Sequence, residues 1–153
     1  MMRKHILVVD DDAALVSLLK MRLKNAWYTV DTAETGWDGL TKLEQGDYDV
    51  VLLDYMMPGI TGITVLQHIQ ARYPSMPVIM MTGDITSQVA AQGLARGARA
   101  CLVKPVDAME LDQALQRWGS ERLHKNSRAG RMNDIKGDAT GDGSMNSPFA
   151  YRP

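Results

Sequence analysis

The chain has 153 residues, 45% hydrophobic and 23% charged, with 17 basic and 18 acidic side chains and a formal net charge of −1. This composition is ordinary for a soluble globular domain, and it gives no global field that would favour nucleic acid as a partner. The single cysteine, Cys101, excludes an intramolecular disulfide framework, and no stretch approaches the roughly 20 apolar residues that span a bilayer, so we expect a cytoplasmic protein.

The first predicted strand–helix unit occupies residues 5–24. Residues 5–9 form a compact apolar run, HILVV, and a helical pattern follows over residues 12–24. Asp12 is suited to cap this helix, because its carboxylate can accept the free N–H groups of the first turn. Four leucines are expected on one buried face of the helix: Leu15, Leu18, Leu19 and Leu23.

The next two units cover residues 28–72. A short strand is expected over residues 28–32 and a helix over residues 35–45. The inward side chains of that helix are predicted to be Trp37, Leu40 and Leu43. Residues 50–53, VVLL, are typical of a strand buried on both faces, as in parallel sheets covered by helices on both sides. A helix over residues 62–72 then ends before Pro74.

The last two units bring the chain to about residue 120. Residues 78–81 predict a fourth buried strand, and an Ala-rich helix with a weak pattern follows over residues 86–95. The fifth strand is expected over residues 100–103, and the last helix starts near Asp107. The inward side chains of this helix are predicted to be Leu111, Leu115 and Trp118. We also expect Trp27 and Trp37 to be core or helix-anchoring residues.

Strands that alternate with helices in this way indicate an α/β fold with a parallel sheet and right-handed crossovers. Five units match the doubly wound, flavodoxin-like architecture, with strand order 2-1-3-4-5 and five helices. The absence of a G-x-G-x-x-G segment after the first strand disfavours the dinucleotide-binding version. We expect one domain over residues 3–120 and a flexible polar C-terminal tail over residues 121–153, where apolar residues follow no period.

Charged and hydroxyl side chains stand where the predicted strands end. In chain order they are Asp10, Asp11, Asp12, Asp54, Thr82 and Lys104. Ligands of an open parallel sheet bind beyond the carboxyl ends of the strands, near the point where the strand order reverses. The first and third strands are neighbours in the predicted order, so Asp10, Asp11 and Asp54 should lie together.

This set of side chains fits the chemistry of phosphoryl transfer. Neighbouring carboxylates repel one another unless a cation intervenes, and Mg²⁺ is commonly held by one or two carboxylates together with waters and phosphate oxygens. Asp54 would be a carboxylate nucleophile, Lys104 a fixed positive charge and Thr82 a hydroxyl donor. Taken singly, an Asp after a strand is usually a turn former or a helix cap, so only the combination predicts a site.

Four segments of the chain are similar to the motifs of response-regulator receiver domains. They are ILVVDDD, LLDYMMPGITG, VIMMTGD and LVKP, and the resemblance covers roughly residues 3–120. It implies that Asp54 accepts a phosphoryl group from a sensor histidine kinase or a histidine phosphotransfer protein. It also implies a Mg²⁺ site formed by Asp10, Asp11, Asp54 and the backbone carbonyl of Met56, with Asp11 binding directly and Asp10 acting largely through bound water.

The resemblance assigns roles to the remaining residues as well. Thr82 would hydrogen-bond the phosphoryl oxygens, Lys104 would form an ion pair with Asp54 or its phosphoryl group, and Pro105 would follow a cis peptide bond. The family's switch moves the Thr inward and fills the vacated space with an aromatic side chain three residues before the Lys. Here that position is Cys101, which is much smaller, so the aromatic readout cannot operate as usual. We expect Cys101 to be a small buried core residue.

The expected output is contact with a downstream protein target or effector domain, with no direct binding of nucleic acid or membrane by this domain. The basic stretch over residues 117–131 is expected to be a solvated helix end and tail. The oligomeric state is left open by the sequence.

Two other functions are alternatives to a phosphoacceptor that catalyses only its own phosphorylation and dephosphorylation. A Mg²⁺-dependent phosphohydrolase would also use Asp54 as nucleophile, but phosphatases of the haloacid-dehalogenase type carry a second Asp two residues later, where this chain has Met56. A degenerate receiver that only binds partners is disfavoured by the intact set of Asp10, Asp11, Asp54, Thr82 and Lys104.

Overall fold

The computed structural model of the chain describes residues 3–84 and 86–119. The predicted flexible tail over residues 121–153 lies outside these residues. None of the helices in the described part of the chain is long and apolar enough to cross a membrane.

Strands and helices alternate along the described residues as the sequence predicts, and each predicted boundary agrees with the structure to within one residue. The strands are β1 His5–Val9, β2 Thr29–Ala33, β3 Val50–Asp54, β4 Val78–Thr82 and β5 Ala100–Val103. The helices are α1 Ala13–Asn25, α2 Gly36–Gln45, α3 Gly62–Arg72, α4 Ser87–Ala95 and α5 Ala108–Trp118.

The five strands form one parallel sheet in the order β2-β1-β3-β4-β5. This order confirms the predicted doubly wound, flavodoxin-like fold. The register pairs Val9 with Leu53 and Thr82 with Val103, so the carboxyl ends of β1 and β3, and those of β4 and β5, lie side by side. The residues that follow these strands therefore meet at one edge of the sheet, which we call the carboxyl edge.

The helices begin at the carboxyl edge with polar caps. Asp12 accepts hydrogen bonds from the backbone N–H groups of Ala14 and Leu15, both at 3.1 Å, which confirms its predicted role as the cap of α1. Asp107 caps α5 in the same way. These caps satisfy N–H groups that would otherwise have no partner, and they start each helix within a few residues of the preceding strand.

The core has two layers, one on each face of the sheet. Val51 and Leu53 point to the face covered by α2 and α3, and Val50 and Leu52 point to the face covered by α1 and α5. All four side chains are at most 1% exposed. The uninterrupted VVLL run is thus explained, because a central parallel strand buries every side chain when both faces are covered.

The prediction that Trp37 faces inward is wrong, since Trp37 is 60% exposed, and Trp27, which was expected to be a core or helix-anchoring residue, is not in the core because it is 70% exposed. Helix α2 packs inward through Gly36 and Gly39 instead: a Cβ at Gly36 would lie 2.4 Å from a methyl carbon of Ile60. This close approach turns the neighbouring Trp37 outward. Trp27 stands in the turn after α1 with a φ of 69°, whereas Trp118 is packed against the core as predicted.

The amphipathic prediction for α1 also fails at one position, because Leu18 is 37% exposed while Leu19 and Leu23 are buried. The covered face of α1 is therefore narrower than the leucine pattern indicates. Leu15 packs at the margin of this layer as a partly buried residue.

Gly62, the first residue of α3, is expected to be intolerant of any side chain. A Cβ there would lie 2.1 Å from the backbone oxygen of Asp54 and 2.8 Å from Cα of Tyr55, and backbone cannot move aside as a flexible side chain can. We predict that Gly62→Ala lowers the free energy of unfolding by about 3 kcal/mol. Gly83→Ala is the control, because a Cβ at Gly83 meets no heavy atom within 4 Å. Urea denaturation that gave both variants the same midpoint would contradict this prediction.

Candidate functional site

The three carboxylates predicted to lie together do so at the carboxyl edge. Asp10, Asp11 and Asp54 each offer an oxygen, and these oxygens lie within 4.8 Å of one another. Asp10 is 0% exposed and Asp54 is 3% exposed, whereas the side chain of Asp11 is exposed to solvent. The strand order produces this cluster, because β1 and β3 are hydrogen-bonded neighbours.

Asp10 is held by hydrogen bonds at both oxygens. Its Oδ1 accepts the backbone N–H of Asp12 at 2.9 Å, and its Oδ2 accepts a hydrogen bond from Nζ of Lys104 at 2.7 Å. Burying a carboxylate costs free energy unless such partners replace the water that it loses. Because both oxygens are engaged, Asp10 is less available than Asp11 as a direct ligand for a cation.

Lys104 lies between two buried carboxylates. Its Nζ is 2.7 Å from Oδ2 of Asp10 and 3.0 Å from Oδ1 of Asp54. Burial lowers the pKa of Lys104, but the hydrogen bonds and the charges of the two carboxylates outweigh burial, and the net pKa is raised. The ammonium group is therefore charged at neutral pH. The Lys104–Pro105 peptide bond is cis, as the resemblance implies.

Burial raises the pKa of Asp54 to about 6, against the opposing effects of the Lys104 hydrogen bond and of the N–H of Met56. The charge of Asp10 adds to the increase. Oδ1 of Asp54 receives the Lys104 bond and a longer bond, at 3.4 Å, from the Met56 N–H. Because burial removes water from around this carboxylate, its negative form is poorly solvated and costs free energy.

Thr82 is buried at the end of β4, where its side chain is 1% exposed. Its Oγ1 accepts the backbone N–H of Asp84 at 3.0 Å. Because the oxygen serves as the acceptor in that bond, its O–H hydrogen is available for donation to another group. The Thr82 carbonyl accepts the backbone N–H of Lys104 at 2.7 Å, which ties the two residues to each other.

Two further residues that the sequence singled out are Met56 and Cys101, and Cys101 differs in detail from its expectation. The backbone N–H of Met56 donates to Oδ1 of Asp54, and the Met56 side chain is 68% exposed. Cys101 is half-buried rather than fully buried, because β5 is the edge strand of the sheet. It packs against the core layer under α2 and α3, and burial raises the pKa of its thiol.

Sequence reasoning missed two contacts of the site. The bond between Lys104 and Asp10 is shorter than the expected one between Lys104 and Asp54, and it joins residues 94 positions apart. No local pattern signals such a contact. The bond from the Asp84 N–H to Thr82 could have been found, because a Thr side chain often accepts the N–H of the second residue after it.

The fold and the site together define a class of protein: a doubly wound α/β domain that gathers carboxylates, a hydroxyl and a lysine where its strand order reverses. A family model described as the response regulator receiver domain matches residues 6–116. The chain therefore belongs to the family of response-regulator receiver domains, the receiving modules of two-component signalling systems.

Curated relatives agree with this assignment. The chain is 42% identical over 113 residues to the transcriptional regulatory protein GlrR of Escherichia coli (strain K12), covering 72% of this chain and 25% of that protein. It is 36% identical over 131 residues to the transcriptional regulatory protein ResD of Bacillus subtilis (strain 168), covering 84% of this chain and 54% of that protein. The chain thus spans between a quarter and about half of the length of these relatives.

Solved structures of the same kind cover most of the chain. A CheY-like receiver domain protein from Methanospirillum hungatei superposes with a TM-score of 0.75 at 31% identity, covering 81% of this chain and 99% of that one. The response regulator TrrA from Thermotoga maritima, solved in complex with Mg²⁺ and BeF, superposes with a TM-score of 0.69 at 35% identity. That match covers 75% of this chain and 98% of TrrA.

Proposed function

We propose that this receiver domain accepts its phosphoryl group on Asp54, from a phosphohistidine of a sensor histidine kinase or a histidine phosphotransfer protein. The observation that carries the proposal is the placement of Asp54. It is a buried carboxylate at the carboxyl edge, 3.0 Å from the ammonium group of Lys104 and beside two further carboxylates. The nucleophile and the charge that would steady the incoming group are thus already adjacent.

The residues present fit a Mg²⁺ ion. The cluster has three carboxylates and one lysine, so its negative charges exceed its positive charge. Every potential ligand atom is an oxygen, and oxygen is the ligand that this hard cation prefers. Asp11, Asp54 and the backbone carbonyl of Met56 would hold the ion, and Asp10 would act on it through water. When bound, the ion would neutralise negative charge on the phosphoryl oxygens.

The chain's own residues would divide the transfer between them. A carboxylate oxygen of Asp54 attacks phosphorus and forms a P–O bond as the P–N bond to the donor histidine breaks, and its electron pair returns to the imidazole. Lys104 donates to a phosphoryl oxygen once Asp54 is phosphorylated. Thr82 supplies its O–H to a second phosphoryl oxygen. Asp54, Thr82 and Lys104 already lie together at the carboxyl edge, so the transfer would require only rotations of the Thr82 and Lys104 side chains.

The output of the proposed transfer is a change in contacts with a downstream protein target or an effector domain. The alternative of a phosphohydrolase has no support in the site, because the exposed Met56 stands where a second acid would be needed. With a single cysteine the chain has no intramolecular disulfide, which fits the cytoplasmic location that we include in the proposal.

Incubation with acetyl phosphate, followed by intact-mass measurement, tests the proposed function. With Mg²⁺ we expect the protein to gain one phosphoryl group, and with EDTA in place of the metal we expect no gain. Borohydride reduction of the acyl phosphate, followed by peptide mapping, should place the label at position 54. A protein that neither gained a phosphoryl group nor bound beryllofluoride with Mg²⁺ would be a receiver used only for binding, and the proposal would be rejected.

A further inference from the structure

A groove separates helices α1 and α5 on the outer side of the core layer that they cover. Its volume is about 530 Å³, which is within the range of cavities that hold a ligand or an inserted side chain. The floor is apolar, because Leu23, Leu111 and Leu115 line it and are each at most 3% exposed. Of the residues that line it in the described part of the chain, none belongs to the functional site, so the proposed phosphoryl transfer does not account for this groove.

Exposed apolar side chains border the groove. On α5, Met109 lines it and is 72% exposed, and on α1 both Leu18 and Met21 are exposed. Leu18 and Met21 stand one turn before Arg22 and Asn25, which line the groove, so they continue its α1 side. These exposed side chains contribute little to the core, and apolar side chains that are exposed together mark an interaction surface.

The two sides of the groove carry opposite charges. Arg22 stands on the α1 side and Asp112 on the α5 side, and both are exposed. Within the part of the chain that the structure describes, neither is in an ion pair. One N–H of Arg22 donates to the Val106 carbonyl at 3.5 Å, and Asp112 accepts the side-chain amide of Gln116 at 3.0 Å. The guanidinium group has further N–H donors and the carboxylate further lone pairs, so both can take another partner.

A second copy of the chain fits this arrangement. A two-fold axis through the middle of the groove lays the α1 side of one copy on the α5 side of the other, and it makes every contact twice. Each Arg22 then faces an Asp112, and each Met109 faces Leu18 and Met21. A symmetric dimer requires a surface that is complementary to itself, and this one is so in charge and in apolar character. We call the groove, with Leu18, Met21, Arg22, Met109 and Asp112 at its borders, the groove surface.

We propose that this chain forms a symmetric dimer through the groove surface. Ion pairs between Arg22 and Asp112 of the two copies fix their relative orientation, and the apolar side chains supply most of the affinity. A small ligand in the groove would leave Leu18 and Met21 exposed, whereas a second copy covers them. A polyanion or an anionic membrane would meet the carboxylate of Asp112 as well as the guanidinium group of Arg22, so the charges do not favour either.

Dimer formation should not depend on phosphorylation. The groove surface contains none of the carboxylates, the hydroxyl or the lysine of the functional site. Asp54→Asn is therefore expected to dimerise as the wild type does, and the absence of a dimer would leave the proposed phosphoryl transfer intact. Because the surface is small, we expect weak association, with a Kd on the order of 10 μM.

Sedimentation equilibrium of the full chain, between about 1 and about 500 μM, measures the dimer. We expect the mean mass to rise from one chain towards two across this range. Arg22→Asp and Asp112→Arg should each weaken association at least about tenfold, because each change places like charges opposite each other twice. Combining the two changes restores opposite charges in both pairs, so the double variant should associate within about threefold of the wild type.

Met109→Gln should weaken association about tenfold, because it removes an apolar side chain from the interface. Leu94→Gln is its control, since Leu94 is an exposed apolar residue on α4. Lys20→Asp is the control for charge reversal: it makes the same change of charge on α1, but Lys20 lies on the side of that helix towards β2. Both controls should associate as the wild type does, and urea denaturation should show that every variant is folded.

A chain that stayed a single copy at the highest concentration would overturn the proposal, whatever other molecule occupied the groove. So would single charge reversals that associate normally, or a double variant that associates as weakly as the single ones. If Lys20→Asp or Leu94→Gln weakened association as much as Arg22→Asp or Met109→Gln, the interface would lie elsewhere, and the proposal would again be rejected.

Discussion

Replacing Asp54 by asparagine is expected to abolish phosphoryl uptake from acetyl phosphate. The amide keeps the size of the side chain and can still accept the Met56 N–H at 3.4 Å, so the loop after β3 should keep its path. What disappears is the carboxylate oxygen that would bond to phosphorus. The fold should not suffer, because the change removes a poorly solvated acid whose pKa burial has raised to about 6.

Asp84→Asn is the control for the loss of an acid near the site. The Asp84 carboxylate is exposed and accepts the Thr86 N–H at 2.8 Å, and its backbone N–H, which binds Thr82, is untouched by the substitution. Intact-mass measurement should therefore show uptake by Asp84→Asn but none by Asp54→Asn. Mg²⁺-dependent uptake by Asp54→Asn would assign the nucleophile to another carboxylate, first of all to Asp11, which is exposed in the same cluster.

The fold was predictable from the sequence because its signals are local and repeated. Four of the five strands are short apolar runs, β2 being the exception, and each strand is followed by a helical pattern, so the doubly wound sheet could be derived before any contact was known. The gathering of Asp10, Asp11 and Asp54 followed from the strand order alone. These predictions required only the order of the strands in the sheet and the residue at which each strand ends.

The errors arose where the outcome depends on close packing. The pattern of α2 placed Trp37 inside, but Gly36 and Gly39 allow that helix to approach the sheet so closely that they form the inner face together with Leu43. The periodicity of apolar residues does not show whether a glycine lies on the solvent-facing side of a helix or forms its packing contact with the sheet. The shorter distance from Lys104 to Asp10 than to Asp54 also depends on close packing, because the two distances differ by only a few tenths of an ångström and join residues that are distant in the sequence.

Replacing Lys104 by methionine is expected to lower the free energy of unfolding by about 3 kcal/mol in the presence of EDTA. Methionine matches the length of the lysine stem but brings no charge. Asp10, which is 0% exposed, would then keep only the hydrogen bond from the Asp12 N–H. Asp54 would keep only the long bond from Met56. Leaving two buried carboxylates without their cation is one of the few single changes that cost this much.

Urea denaturation of wild type and variant measures the effect, and Lys20→Met provides the matched control. Lys20 is exposed on α1, so its loss should change the free energy of unfolding by no more than about 0.5 kcal/mol. If Lys104→Met were as stable as Lys20→Met, the ion pairs of Lys104 with Asp10 and Asp54 would contribute nothing to stability, and the prediction would be wrong.

A second substitution distinguishes the loss of charge balance from the loss of packing. Asp10→Asn should restore more than half of the stability lost in Lys104→Met, because the asparagine oxygen can still accept the Asp12 N–H and no unpaired charge remains at that position. If only the lost stem mattered, the two changes would be additive. Rescue would mean that Asp10 holds Lys104 within 3.0 Å of Asp54 before any phosphoryl group arrives. The lysine would then need only a small shift, away from Asp54 and onto the phosphoryl oxygen, in the proposed phosphorylation of Asp54.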